Sequence, residues 1–264
     1  MHLAIRLDYG NVISQDRDAA HRIADILTRP ALATLRRVSA RKLDRWSKHS
    51  PATAITIEQY LSDESNDAVA LDNGRTGELT ATAEIQSGPN VRVNGPKATR
   101  FMAYLALPFD PPQLEAVLAT VFDLAAALRI AAGYVTVEPT YGLAQRAAVG
   151  HSVPKERSGL SEQRIRERRV RDYKDELIDT RLAGIEWGTF LGRSHLKHVH
   201  VPALRSAGAF ERVVEVTPSL VFLQLTPNPE DDLSPDIEPR LQRARDVLKP
   251  MMLDTSDLPR LPEV

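Results

Sequence analysis

The stretch Gly184-Ile185-Glu186-Trp187-Gly188-Thr189-Phe190-Leu191-Gly192 decides how the chain is read. It sets one of the chain's two tryptophans, a phenylalanine and aliphatic side chains between three glycines. Bulky groups therefore alternate with points where the backbone can turn or be approached closely. In an extended segment Ile185, Trp187 and Thr189 share one face and Glu186 and Gly188 the other, and Phe190-Leu191 adds an apolar end that must also be buried. The pattern predicts a short buried strand ending in a tight turn, with Trp187 in the core.

A chain of 264 residues can bury a full core as one large domain or two small ones. Hydrophobic residues at 42% and charged residues at 26% belong to an ordinary globular protein. Lys+Arg of 34 against Asp+Glu of 35 gives a formal net charge of -1, so no global field favours nucleic acid or an anionic membrane, and a charge-driven partner must use a local patch. The absence of cysteine removes disulfides, thiol nucleophiles and cysteine-based metal sites. The N-terminal run Met1 to Asp8 is broken by Arg6 and has no small-residue cleavage site after it, so it does not read as a signal peptide. The apolar stretch Leu114 to Ile130 is interrupted by Glu115, Asp123 and Arg129, against a membrane span. A cytoplasmic protein is expected.

Leu3, Ile5 and Leu7 alternate as in a strand, and a helix capped by Asp16 or Asp18 follows with Ala19, Ile23, Ile26 and Leu27 on one stripe, stopping at Pro30. Leu32, Leu35 and Val38 then suggest a second helix whose outer side is basic through Arg36, Arg37, Arg41, Lys42, Arg45 and Lys48. That face reads either as solvated or as a surface for an acidic partner. Ile55 to Leu61 reads as a short helix with Tyr60 buried, Ala68 to Leu71 and Leu79 to Ile85 as two strands, and Phe101 to Leu107 as another. At Asp110-Pro111-Pro112-Gln113 an N-cap, a first-turn proline and a capping-box glutamine agree, opening a wide-faced apolar helix through Leu128. Gly133 to Val137 returns as a strand. The order predicts an α+β fold, helices packed on a mostly antiparallel sheet. One domain over 1–264 is expected, with sub-lobes 1–150 and 168–253 and a charged connection 151–167 as the divided alternative.

Candidate chemistry is sparse. The segment Lys155 to Lys174 holds Arg157, Arg164, Arg166, Arg168, Arg169 and Arg171 among Glu156, Glu162, Glu167 and Asp172. Mixed signs without aromatics argue against nucleic acid. The segment is a solvated face or a docking site for an acidic protein, with Arg164, Arg168 and Arg171 as the partner-binding candidates on an exposed rim. His195, His198 and His200 share no single face on a helix or strand and have no His-Glu-x-x-His pattern, so no metal is expected. No Gly-x-Ser-x-Gly elbow, phosphate loop or dinucleotide fingerprint is present. Glu230-Asp231-Asp232, near Asp236 and Glu238, reads as acidic residues that cap and solubilise the terminal helix. No catalytic residue and no cofactor is expected.

The Gly184–Gly192 stretch, followed by His195-Leu196, a short amphipathic segment, the apolar run Ser219 to Leu225 and a terminal helix Ile237 to Leu248, resembles the bacterial type VI immunity protein family. The likeness is clearest over residues 175–253 and extends to the helix-then-Gly-Tyr pattern at 111–134. The chain departs from the family at Thr226-Pro227-Asn228-Pro229, where a glycine-rich turn is usual. The resemblance implies a protein that binds and neutralises a toxin delivered between bacteria by a contractile secretion system. The expected partner is a cognate effector protein, not nucleic acid or membrane. An enzyme of unrecognised type, using the His195/His198/His200 region and Glu186, stays open as the alternative.

Overall fold

The computed structural model describes residues 1–10, 12–43, 45–87, 101–149, 160–173 and 180–253, and of residues 169–173 the backbone alone. Its centre is the N-terminal strand β1 (His2–Tyr9), every residue of which is buried. β1 lies between β7 (Phe101–Pro108) and β8 (Ala132–Glu138), antiparallel to both. Outward from β7 follow β6 (Thr82–Gln86), β5 (Ala68–Asp72) and β2 (Arg37–Lys42), whose outer edge carries β3 (Arg45–Trp46) and β4 (Ser50–Pro51). Outward from β8 follow β9 (Gly188–Leu191), β11 (Leu220–Gln224) and β10 (Arg212–Thr217). The result is one 11-stranded antiparallel sheet into which both halves of the sequence are woven, an α+β fold as the element order predicts.

Alternation along the strands decides what covers each face. Leu3, Ile5 and Leu7 of β1, Val135 and Val137 of β8, Phe190 of β9 and Phe222 of β11 belong to one apolar cluster. It is covered by α1 (Arg17–Leu27), α2 (Ala54–Ser62) and α3 (Leu114–Leu128). Ala4 of β1, with Tyr104 and Ala106 of β7, faces the other way onto α4 (Tyr141–Val149). Leu191, Val221 and Leu223 pack on the same side against α6 (Val201–Ser206) and α7 (Glu238–Leu248). Between α4 and α7 lies α5 (Glu162–Tyr173), which meets the sheet with charge rather than hydrocarbon.

Of the opening stretch only Gly188–Leu191 is strand; Ile185 and Trp187 precede it and enter different apolar clusters, so the expected shared face of Ile185, Trp187 and Thr189 is corrected, while the core position of Trp187 is as predicted. Trp187 and Phe190 are fully buried, and the indole Nε1 donates to the Thr226 carbonyl at 2.9 Å. Gly188 is a close-approach glycine, since a Cβ there would stand 2.7 Å from the Phe222 ring. Asp16 caps α1 by accepting from the Ala19 amide at 2.9 Å.

Several local readings are corrected. Leu32, Leu35 and Val38 do not form a helix: a 3-10 turn Pro30–Leu32 leads into β2, and the cations from Arg36 to Lys48 lie along a sheet edge. Tyr60 is only partly buried, and Ile57 and Leu61 anchor α2. Leu79 lies in a 3-10 turn, not a strand, and is 59% exposed. Asp110 caps no backbone amide with its side chain; Gln113 Nε2 donates to Asp110 Oδ2 at 2.8 Å instead, within a 3-10 turn ahead of α3. Among the described residues no helix is long and apolar enough to cross a membrane.

Candidate functional site

The densest gathering of ionisable groups lies beneath α5. Arg164, Glu167 and Arg168 stand at i, i+3 and i+4, so one face of the helix presents all three to the sheet. Arg168 reaches Glu186 with both ends of its fork, Nε to Oε1 at 2.8 Å and Nη2 to Oε2 at 2.9 Å. It also donates to Glu138 Oε1 at 2.7 Å and to the Thr136 hydroxyl at 3.1 Å. Arg164 donates to Glu186 Oε2 at 2.9 Å, to Asp232 Oδ2 at 2.7 Å and to the Asp232 carbonyl at 2.6 Å. Glu167 accepts from Arg245 of α7 at 2.9 Å and 3.3 Å, which fastens α5 to the terminal helix. Gly184 allows the approach, because a Cβ there would lie 2.8 Å from that of Glu167.

These groups are interior. Arg164 is 3% and Arg168 6% exposed, and Glu138 and Asp232 are at most 1%. The expectation that Arg164 and Arg168 form a solvated rim is therefore corrected: their charges are spent on the protein's own carboxylates. The Arg171 side chain lies outside the described residues. Asp232, expected to solubilise the terminal helix, is a buried partner of Arg164 instead. A helix as polar as Glu-Gln-Arg-Ile-Arg-Glu-Arg-Arg reads as solvated unless its partners are known. The signal that was available is on the other side, in the acids: Glu138 ends an apolar strand, and Glu186 sits beside Trp187 in an otherwise apolar run.

Two guanidinium groups, Arg164 and Arg168, face three carboxyls, Glu138, Glu186 and Asp232. Burial pushes the Glu138 and Asp232 carboxyls above the usual range, against the pull of the arginines. Burial also works against charge on the arginines, but Asp232 and Glu186 outweigh it at Arg164, and Glu186 and Glu138 at Arg168, so both stay charged. Glu138 Oε2 and Asp232 Oδ1 have no hydrogen-bond partner among the described residues. The arrangement locks a helix to a sheet. Its ionisable groups are engaged with one another.

The histidines are not brought together. His195 is fully buried, whereas His198 and His200 are exposed. Glu186, the acid considered beside them, is committed to the arginines. Among the described residues no group of three or more His, Cys, Asp or Glu is placed to hold a metal.

Outside the network, the feature with the composition of a binding surface is the β2–β3 edge. Trp46 is 45% and Leu43 74% exposed, and the Arg41 guanidinium lies 5.5 Å from the centre of the Trp46 ring. The sequence marked the cations there but placed them on a helix, and it gave Leu43 and Trp46 no role.

A single antiparallel sheet with helices on both faces, carrying a buried charge cluster and an exposed edge rich in cations, defines an α+β protein. Compared with known proteins, the chain matches no family model and no curated protein sequence. Among solved structures it is similar to the Pseudomonas aeruginosa T6SS protein PA0821, with 15% identity and a TM-score of 0.59 over 95% of this chain and 73% of that one. That likeness is one of fold.

Proposed function

We propose that the chain is an immunity protein that binds a cognate effector of a type VI secretion system and neutralises it stoichiometrically, without turnover, in the cytoplasm of the producing cell. The observation that carries this reading is the fold shared over nearly the whole chain with a protein described as part of that system. The sequence supports it independently through the Gly184–Gly192 stretch and the elements after it. The site geometry is compatible with it as well, since the buried ionic groups hold the fold and the exposed edge is left for contact. The affinity of such a complex comes from a standard-sized interface with a few desolvated anchors.

The test is co-expression of the chain with each candidate effector of the producing strain in a sensitive host. Growth is restored for one effector, and the purified pair forms a one-to-one complex by calorimetry. Failure to restore growth against every candidate, with the chain folded and expressed, removes the reading.

A further inference from the structure

The β2–β3 hairpin combines three features that do not usually coincide. Leu43 and Trp46 expose large apolar surface within four positions of each other, and Leu43 holds a left-handed backbone with φ of +48°. A glycine or asparagine would occupy that conformation at less cost than leucine. The turn is also clamped from below: the Leu43 amide donates to Oδ2 of the buried Asp67 at 2.9 Å, and the Asp67 amide donates to the Arg41 carbonyl at 2.7 Å. The protein thus presents an aliphatic side chain to solvent on a fixed, strained support.

Cations outnumber acids on the hairpin itself: Arg41, Lys42, Arg45 and Lys48 stand against Asp44, which follows Leu43 in the sequence, and Asp63 lies close enough to Lys42 to feel its charge. Arg41 stacks on Trp46 and meets Glu84 only at 3.9 Å, and Lys42, Arg45 and Lys48 make no ion pair within 4 Å among the described residues. Cations and Pro51 on an edge strand would by themselves be protection against edge-to-edge pairing. Protection does not explain Trp46 and Leu43, which make the same edge more adhesive. Aromatic and arginine side chains with a charged surround are the composition of an interface anchor.

We propose that this hairpin is the docking surface for an acidic protein partner, with Trp46 and Leu43 entering an apolar hollow on it and Arg41, Lys42, Arg45 and Lys48 facing carboxylates around that hollow. The inference rests on the immunity reading and names the surface through which the effector is held. An acidic protein fits better than a nucleic acid. A single aromatic offers no platform for successive bases, Leu43 has no stacking face, and the chain as a whole carries no positive excess. A second copy of the chain would bring the same cations together.

The test uses the full-length protein and the effector whose toxicity it suppresses, with binding followed by surface plasmon resonance at low and high salt. Trp46→Ala is expected to weaken binding about thirtyfold, mainly through faster dissociation, as for a desolvated anchor. The pair Arg45→Glu and Lys48→Glu should slow association about tenfold at low salt and much less at high salt. Leu43→Gly relieves the backbone and should weaken binding without lowering the melting temperature, which separates contact from fold. Parental rate constants in all of these variants, with toxicity still suppressed, overturn the hairpin assignment and leave the immunity reading standing. Absence of binding by the parent protein removes both. Binding of a labelled 20-nucleotide single strand that Trp46→Ala abolishes, or a dimer that Trp46→Ala dissolves, assigns the hairpin to another occupant and overturns the proposal.

Discussion

Removing the Arg168 guanidinium leaves Glu186 and Glu138 buried against each other without their shared counter-charge. Breaking a buried pair from one side costs about 3–5 kcal/mol, so Arg168→Ala should lower the urea midpoint severely. Glu138→Gln is the informative contrast, because it keeps an acceptor for Arg168 while removing a carboxyl that burial disfavours in its charged form, and it should cost much less. The two also differ in pH dependence. A carboxyl whose folded pKa is raised binds more protons in the folded than in the unfolded protein. Its contribution is fully present below the ordinary carboxylate value of about 4 and is lost as pH rises through the raised folded value. Burial raises both Glu138 and Asp232, so the parent should lose stability over that rise, and Glu138→Gln should lose less. Melting temperatures across mildly acidic to neutral pH check this; parallel curves would place the proton elsewhere than on Glu138.

At the scale of elements, β9 and the residue before it hold the second half of the sheet together. Trp187→Ala should cost about 3–5 kcal/mol, the range for truncating a buried aromatic. Trp187→Phe should cost less, because the Thr226 carbonyl that accepts from the indole also accepts from Gln224 Nε2 at 2.8 Å and so keeps a partner. Denaturation followed by circular dichroism distinguishes them, and a Trp187→Ala protein as stable as the parent would remove Trp187 from the core. The buried character of this strand was legible because its information is local: bulky apolar side chains, with glycines where neighbours press closest. β2 was not. Leu32, Leu35 and Val38 fall at helical spacing by coincidence, and Val38 and Ala40 are buried because β2 joins the sheet beside β5. The cluster under α5 was hidden for a related reason. Its acids come from β8, from the residues before β9 and from the 3-10 turn Pro229–Leu233, three places that only the folded chain brings to one helix. Local patterns report which face is buried, and they are silent on which distant charge will meet it.

For the whole molecule, the question is whether the sheet unfolds as one body. The chain's two halves are joined by the pairing of β8 with β9, which runs from Ala132 opposite Leu191 to Val135 opposite Gly188. They also share aromatic packing: Phe122 of α3 lies 4.9 Å from Phe222 and 6.0 Å from Phe190, ring centre to ring centre. α3 reaches further, to the far edge of the sheet, where Glu115 accepts from Arg212 of β10 at 2.8 Å. Separating the halves would expose the long edge of β8 and strip Phe122 of both partners, losing apolar burial and opening a strand edge together. Unfolding should therefore be cooperative across residues 1–253. The chain has two tryptophans, so Trp46→Phe at the exposed edge leaves Trp187 as a reporter buried in the second half. In that variant, urea unfolding followed by Trp187 fluorescence and by far-ultraviolet circular dichroism should give one shared midpoint, as a two-state transition requires. A fluorescence transition clearly ahead of the circular dichroism transition would mean that β9, β10 and β11 detach before the first half unfolds. The aromatic packing around Phe122 would then be too weak to couple the halves.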